Sequence, residues 1–124
     1  MEYKNRNVLA LAYIGDGVYE VYIRKFLINK GMEKVNELQK EATKYVSAKG
    51  QAMYLQRMID DNFLTEEELQ IVYRARNHKG NSHPKHTDII TYKYATGLEA
   101  LIGYLYLIKN EDRIEEIMNY IINN

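Results

Sequence analysis

The sequence predicts an all-α fold, a compact helical bundle, and two observations support this prediction. Apolar residues recur at three- and four-residue steps along most of the chain, which is the spacing of one face of an α-helix. No segment shows the alternation of apolar and polar residues that is typical of a half-buried strand. A length of 124 residues fits one domain and leaves little room for a second core, so we expect one domain over 1–124.

The helices follow from these repeats and from the residues that begin and end them. The predicted helices cover about 5–29, 34–45, 48–60, 65–77, 89–108 and 113–122. Gly31 can close the first helix. Thr65 and Glu68 have the spacing of a capping box, and Asp88 is suited to cap the helix that follows it. The strongest apolar stripes lie in the first helix and in the helix after Asp88, so we expect these two to form the centre of the core.

The longest irregular connection is predicted around Pro84, in the segment KGNSHPKHTD. The basic residues of this region are Arg74, Arg76, Lys79, Lys85 and Lys93, and its histidines are His78, His83 and His86. Only one acid, Asp88, lies among them, although the whole chain has a formal net charge of zero. A solvated charged loop and a surface that contacts RNA both fit this pattern. The histidine spacing matches no established zinc site.

Composition excludes several classes of protein. The chain has no cysteine, which excludes a disulfide framework, a thiolate zinc site and a cysteine nucleophile. The longest apolar runs are shorter than the roughly 20 residues of a transmembrane helix, so we expect no membrane association. The sequence begins without the features of an export signal, and a cytoplasmic location is therefore expected.

Asp16 is the first candidate for chemistry, in the segment AYIGDGVYEVYIR. Its two glycine neighbours, Gly15 and Gly17, favour a turn or a helix cap by local rules. The apolar stripe nevertheless stays in phase across Gly15, which favours a continuous helix in which the glycines serve packing. The residues alone leave both interpretations open.

Glu99 is the second candidate, in YATGLEALIGYLYL, directly beside the apolar stripe of its helix. Burying an ionised acid costs several kcal/mol unless a cation or donor compensates, so an acid in this position needs a partner. That partner is either an arginine or lysine, which would make Glu99 structural, or a metal ion, which would make it functional.

Together, the segments YIGDGV and LEALIG resemble the two signature motifs of the ribonuclease III family. The longer matches AYIGDGVYEVYIR, RARNHKG and HPKHTDIITYKYATGLEALIGYLYL resemble its Mini-III branch, which has the catalytic domain without a separate double-stranded-RNA-binding domain. The resemblance implies an Mg²⁺-dependent endoribonuclease, with Mn²⁺ as a substitute and with Asp16 and Glu99 as catalytic metal ligands. Ala12 and Thr96 stand where larger family members have two further acids, which leaves fewer protein ligands.

The resemblance also implies partners. The expected substrate is double-stranded RNA, in particular precursor 23S ribosomal RNA, with a ribosomal protein as a further partner. The residues expected to contact RNA are Arg74, Arg76, Lys79, Lys85, His83 and His86. A homodimer is expected to form through Gly15, Val18, Tyr19 and Tyr22, which would place two active sites across one duplex.

Two alternatives from other classes remain. The loss of acids at Ala12 and Thr96 fits a non-catalytic RNA-binding or ribosome-assembly module on the same fold. The zero net charge fits a helical protein-interaction domain that binds no RNA.

Overall fold

The computed structural model describes residues 2–79 and 88–124, and the regular structure in these ranges is helical. A short 3-10 helix, Tyr3–Asn5, precedes six α-helices: α1 Val8–Asn29, α2 Val35–Val46, α3 Ala48–Asp60, α4 Glu66–Arg76, α5 Ile89–Leu107 and α6 Glu111–Ile122. The all-α prediction is confirmed, since the described residues contain helices and no strand. The predictions for Pro84, Lys85, His83 and His86 concern residues outside the described ranges.

The helix ends show the capping that the sequence predicts. Thr65 and Glu68 form a reciprocal capping box, in which the Thr65 N–H donates to Glu68 Oε1 over 2.9 Å and the Glu68 N–H donates to Thr65 Oγ1 over 3.2 Å. Asp88 Oδ1 accepts from the Thr91 N–H over 2.9 Å at the start of α5. Asn7 and Asn110, which the sequence analysis did not assign as caps, accept from the first turns of α1 and α6. Consequently α1 begins later and α6 earlier than predicted.

Helix α5 lies at the centre of the core. It packs against α1, α3 and α4 and also contacts α6. Leu98, Leu101 and Ile102 of α5 are fully buried, as are Ile114 and Ile117 of α6. The prediction that the first helix and the helix after Asp88 form the centre of the core agrees with this arrangement.

Two glycines allow the backbones of α1 and α5 to touch. A Cβ atom at Gly15 would lie 1.7 Å from the carbonyl oxygen of Glu99, and one at Gly103 would lie 1.9 Å from the carbonyl oxygen of Leu11. Gly17, by contrast, has nothing within 4 Å of its Cβ position. Of the two interpretations of Gly-Asp-Gly, the continuous helix is correct. Because Gly15 meets Glu99 directly, the crossing brings Asp16 next to Glu99.

Among residues 2–79 and 88–124, no helix has the length and apolar character needed to cross a membrane.

Candidate active site

The structure brings the two predicted acids together. Asp16 lies on the exposed side of α1, and Glu99 projects from α5 into a mostly buried position where it is within hydrogen-bonding reach of Asp16. Neither carboxylate forms an ion pair with a basic residue in the part of the chain that the structure describes, where the paired acids are Glu20, Glu41, Glu68 and Glu116. The arrangement therefore places two acids side by side without a counter-charge from the described chain.

The proximity of the two acids changes the acidity of Glu99. Burial, followed by the hydrogen bond and the negative charge of Asp16, raises the pKa of Glu99 to about 8, and Glu20 adds to this effect. Glu99 therefore retains its proton at neutral pH while no cation is bound. A divalent cation between the two carboxylates would supply the missing positive charge and favour the ionised form of Glu99.

The donors present fit Mg²⁺ when water and phosphate complete the coordination. Among the described residues no group of three or more acids or histidines could hold a metal ion, so this part of the chain offers the two carboxylates of Asp16 and Glu99. Mg²⁺ is commonly bound by one or two carboxylates together with waters and substrate phosphates. Ala12 is buried and offers no ligand, and Thr96 directs its hydroxyl to the Tyr92 carbonyl of its own helix over 2.9 Å. Ala12 and Thr96, which stand where larger family members have acids, therefore contribute no negative charge to the site.

Gln51 of α3 also belongs to this site, and the sequence analysis missed it. Its side chain is buried, with 2% of its surface exposed, and its amide N–H donates to the Val46 carbonyl over 3.0 Å. The same amide acts on Glu99 as a hydrogen-bond donor and lowers the pKa of Glu99, against the effects of burial and Asp16. No sequence pattern pointed to Gln51, because a single glutamine in an amphipathic helix is typical of a solvated face.

Two of the residues predicted for the dimer interface lie inside the protomer, and those assignments are wrong. The space next to the Gly15 Cα is occupied by the backbone of α5. Tyr19 is fully buried, and its hydroxyl donates to the Tyr45 carbonyl over 2.7 Å, which ties α1 to the end of α2. Val18 and Tyr22 instead line an open surface beside Asp16, so their interface role stays a prediction.

The basic residues at the end of α4 differ in their surroundings. Arg74 donates to the carbonyls of Lys4 and Arg6, which anchors the N-terminal segment and accounts for this arginine without RNA. Arg76 lies over the Tyr73 ring, 4.4 Å from its centroid, and also contacts the Tyr94 ring. Lys79 is exposed. Of the predicted RNA contacts, Lys85, His83 and His86 lie outside the described residues.

Comparison with known proteins identifies the family to which this geometry belongs. Residues 9–110, which include Asp16, Gln51 and Glu99, match the Ribonuclease III domain. The chain belongs to the ribonuclease III family. Proteins named Mini-ribonuclease 3 are similar over nearly the whole chain. The protein of Enterococcus faecalis is 48% identical, and the alignment covers 98% of this chain and 92% of the relative. The protein of Streptococcus pneumoniae is 47% identical, and the alignment covers 94% of this chain and 91% of the relative.

A solved structure agrees with these matches. The crystal structure of a protein from Fusobacterium nucleatum superposes with a TM-score of 0.86 at 36% sequence identity, covering 97% of this chain and 96% of that chain. The resemblance to the Mini-III branch is thereby confirmed, and the chain is an endoribonuclease of the ribonuclease III family that acts on RNA.

Proposed function

We propose that this ribonuclease III family member is an Mg²⁺-dependent endoribonuclease that hydrolyses phosphodiester bonds in double-stranded RNA, with Asp16 and Glu99 as its metal ligands. The observation that carries the proposal is the juxtaposition of these two acids without a basic partner among the described residues. When bound, the cation would supply Lewis-acid chemistry, which activates water as a nucleophile and stabilises charge on the phosphate.

The two acids have different positions and therefore different tasks. Asp16 is exposed on α1 and can meet a phosphate that approaches from solvent. Glu99 lies behind it in α5, where burial limits its contact with bulk water. Glu20, one turn after Asp16, is held by Arg24 over 3.2 Å, so its charge is partly balanced and it is a less favourable ligand.

An open apolar surface beside Asp16 supports the homodimer. Tyr13 and Val21 of α1 are 86% and 63% exposed and lie on one open, mainly apolar surface, the kind of patch that marks an interaction site. The surface is completed by neighbouring side chains that include Val18, Tyr22 and Tyr106. We infer that a second copy covers it. A two-fold axis through this surface would place two Asp16 residues near each other and two active sites across one duplex.

Phosphate contacts would come from the basic region that follows α4. Arg76 and Lys79 are the described candidates, and we retain Lys85, His83 and His86 as candidates from the sequence. Double-stranded RNA is recognised mainly through its backbone and its 2′-hydroxyl groups, so binding should weaken strongly with salt. Resemblance to the Mini-III branch supports precursor 23S ribosomal RNA as the cytoplasmic substrate, with a ribosomal protein as a further partner and Mn²⁺ as a substitute cation.

Cleavage of an end-labelled RNA duplex, with and without Mg²⁺, tests the proposal. We expect cutting only with the cation, and we expect Asp16→Asn and Glu99→Gln to slow it by more than the roughly 10- to 100-fold that removal of an outer-shell partner costs. Glu33→Gln, at an exposed acid between α1 and α2, is the matched control and should cut normally. Light scattering on the same proteins measures whether they are dimers.

The contrary outcomes separate the alternatives. A wild-type protein that retains the duplex but never cuts it is the non-catalytic RNA-binding or ribosome-assembly module. A protein that neither retains nor cuts the duplex contradicts the RNA substrate and favours a protein-interaction domain.

A further inference from the structure

Gln51 differs from the other buried polar side chains of the described residues. Three such side chains are buried, Gln51, Glu68 and Thr96. Glu68 pairs with Arg113, and Thr96 donates to a backbone carbonyl. Gln51 Oε1 alone among the buried side-chain nitrogen and oxygen atoms described has no hydrogen-bond partner.

The amide of Gln51 is nevertheless held firmly. A primary amide has two N–H donors and one carbonyl acceptor. One of its donors is anchored on the Val46 carbonyl at the junction of α2 and α3. The amide also donates toward Glu99. The unpaired oxygen belongs to the same planar amide group as the nitrogen that reaches Glu99, so it lies in the immediate neighbourhood of this carboxylate.

An unpaired buried carbonyl is a cost to stability. Almost all buried polar groups in proteins have a partner, and an unsatisfied one loses its interaction with water without compensation. A methionine has nearly the same length and shape as glutamine and would avoid that cost in the same space. Because the free oxygen is on the amide that reaches Glu99, a water molecule that enters the site together with a cation could supply the missing partner.

We propose that Gln51 is a positioning residue of the active site, which orients the Glu99 carboxylate through its N–H and offers Oε1 to a water molecule that enters with the cation. This inference rests on the proposed function, because it takes Asp16 and Glu99 as the metal ligands. Groups that orient metal ligands from outside the first shell raise metal affinity and commonly account for a 10- to 100-fold effect on affinity or activity.

A purely structural role makes a different prediction. If Gln51 serves only to tie α3 to the Val46 carbonyl, its removal lowers the melting temperature and leaves the metal affinity of the folded protein unchanged. The measurement must therefore follow metal binding in the absence of RNA as well as cleavage.

Gln51→Met tests the proposal, with Mn²⁺ as the probe because free Mn²⁺ is measured directly by electron paramagnetic resonance. We expect the variant to bind Mn²⁺ about 10- to 100-fold more weakly than the wild type. The Mg²⁺ concentration for half-maximal duplex cleavage should rise correspondingly, with the rate largely recovered at saturating Mg²⁺. Gln56→Met is the control, since Gln56 lies on the same helix but is exposed and donates to Asp60.

Each outcome decides the question. Unchanged Mn²⁺ affinity in Gln51→Met, with normal binding and cleavage by the wild type, overturns the positioning role and leaves the proposed function intact. A wild type that neither binds Mn²⁺ nor cuts duplex RNA overturns the proposed function and this inference with it. If the methionine protein does not fold, Gln51→Leu is measured in the same way, and the same expectation applies.

Discussion

Glu68 is a buried acid and Glu99 a partly buried one, and their surroundings are opposite. Glu68, 5% exposed, accepts two hydrogen bonds from Arg113, over 2.8 Å from Nε and 2.9 Å from Nη2. Although burial raises the pKa of Glu68, the hydrogen bonds from Arg113 and Thr65 outweigh burial and lower it. Glu99 has Asp16 as its neighbour instead, and its pKa is raised to about 8.

This difference separates an acid that is satisfied within the fold from the acid that we propose as a metal ligand. Glu68 has its counter-charge within the chain, so it is ionised and satisfied as soon as the protein folds. Glu99 lacks a described counter-charge and is next to a second acid, an arrangement that costs stability in the absence of a cation. Buried acids whose nearest charged neighbour is another acid are therefore the better candidates for metal binding.

The largest expected effect is the loss of the counter-charge of Glu68. Arg113→Met should reduce the free energy of unfolding by about 3–5 kcal/mol, because it leaves an ionised acid buried without a counter-charge. Denaturant unfolding measures this loss. Arg24→Met is the control, since Arg24 forms an exposed pair with Glu20 and its removal should cost less than about 1 kcal/mol. Equal losses in the two variants would contradict a special role for the Glu68–Arg113 pair.

Neutralising each acid in turn should produce effects of opposite sign. At pH 8 without divalent cations, Glu99→Gln should raise the free energy of unfolding by about 1 kcal/mol, because it relieves the repulsion from Asp16. Glu68→Gln should lower it, because Arg113 then loses its partner. Denaturant unfolding of both variants in chelator tests the comparison. Destabilisation by Glu99→Gln under these conditions would contradict a net repulsion between Glu99 and Asp16.

The smallest expected effect is a shift in melting temperature with pH. Since the pKa of Glu99 is raised in the fold, the folded protein binds a proton more tightly than the unfolded chain. The metal-free protein should therefore lose stability as pH rises from 6 to 9, through the pKa of about 8. Glu68, whose pKa is lowered, stays ionised throughout this range and does not oppose the trend.

Calorimetric scans of wild type and Glu99→Gln in chelator measure this slope. The melting temperature of the wild type should fall by a few degrees across the range, whereas Glu99→Gln should show little change. Adding Mg²⁺ should reduce the slope, because it favours the ionised pair. A wild type whose stability rises between pH 6 and pH 9 would contradict the raised pKa.

The all-α class and the helices were predictable, since periodic burial and capping are encoded by residues close in sequence. The capping box at Thr65 is an example. The proximity of Asp16 and Glu99 followed from family resemblance and not from periodicity, because it depends on where two distant helices cross. The partners of Gly15 and Arg74 lie in other segments, and so the interface assignment of Gly15 was wrong and the role of Arg74 at the N-terminal segment was missed.

Gln51 illustrates a further limit. Its burial depends on α3 packing against α5, and its importance depends on one unpaired oxygen, neither of which leaves a mark in the local sequence. Tyr19 is the opposite case, a residue expected at the surface that the fold buries. The family resemblance of the segment AYIGDGVYEVYIR implied an external contact for Tyr19, but its hydroxyl donates to the Tyr45 carbonyl at the end of α2.

The reciprocal contacts of Gly15 and Gly103 have a consequence for how this enzyme tolerates change. At these two glycines the backbones of α1 and α5 touch directly, and this contact sets the distance between the two helices without an intervening layer of side chains. Exchanges among the leucines and isoleucines of the core can therefore alter volume elsewhere while the distance between the two acids is preserved. The composition of the core can then diverge among related chains while the geometry of the acid pair stays the same.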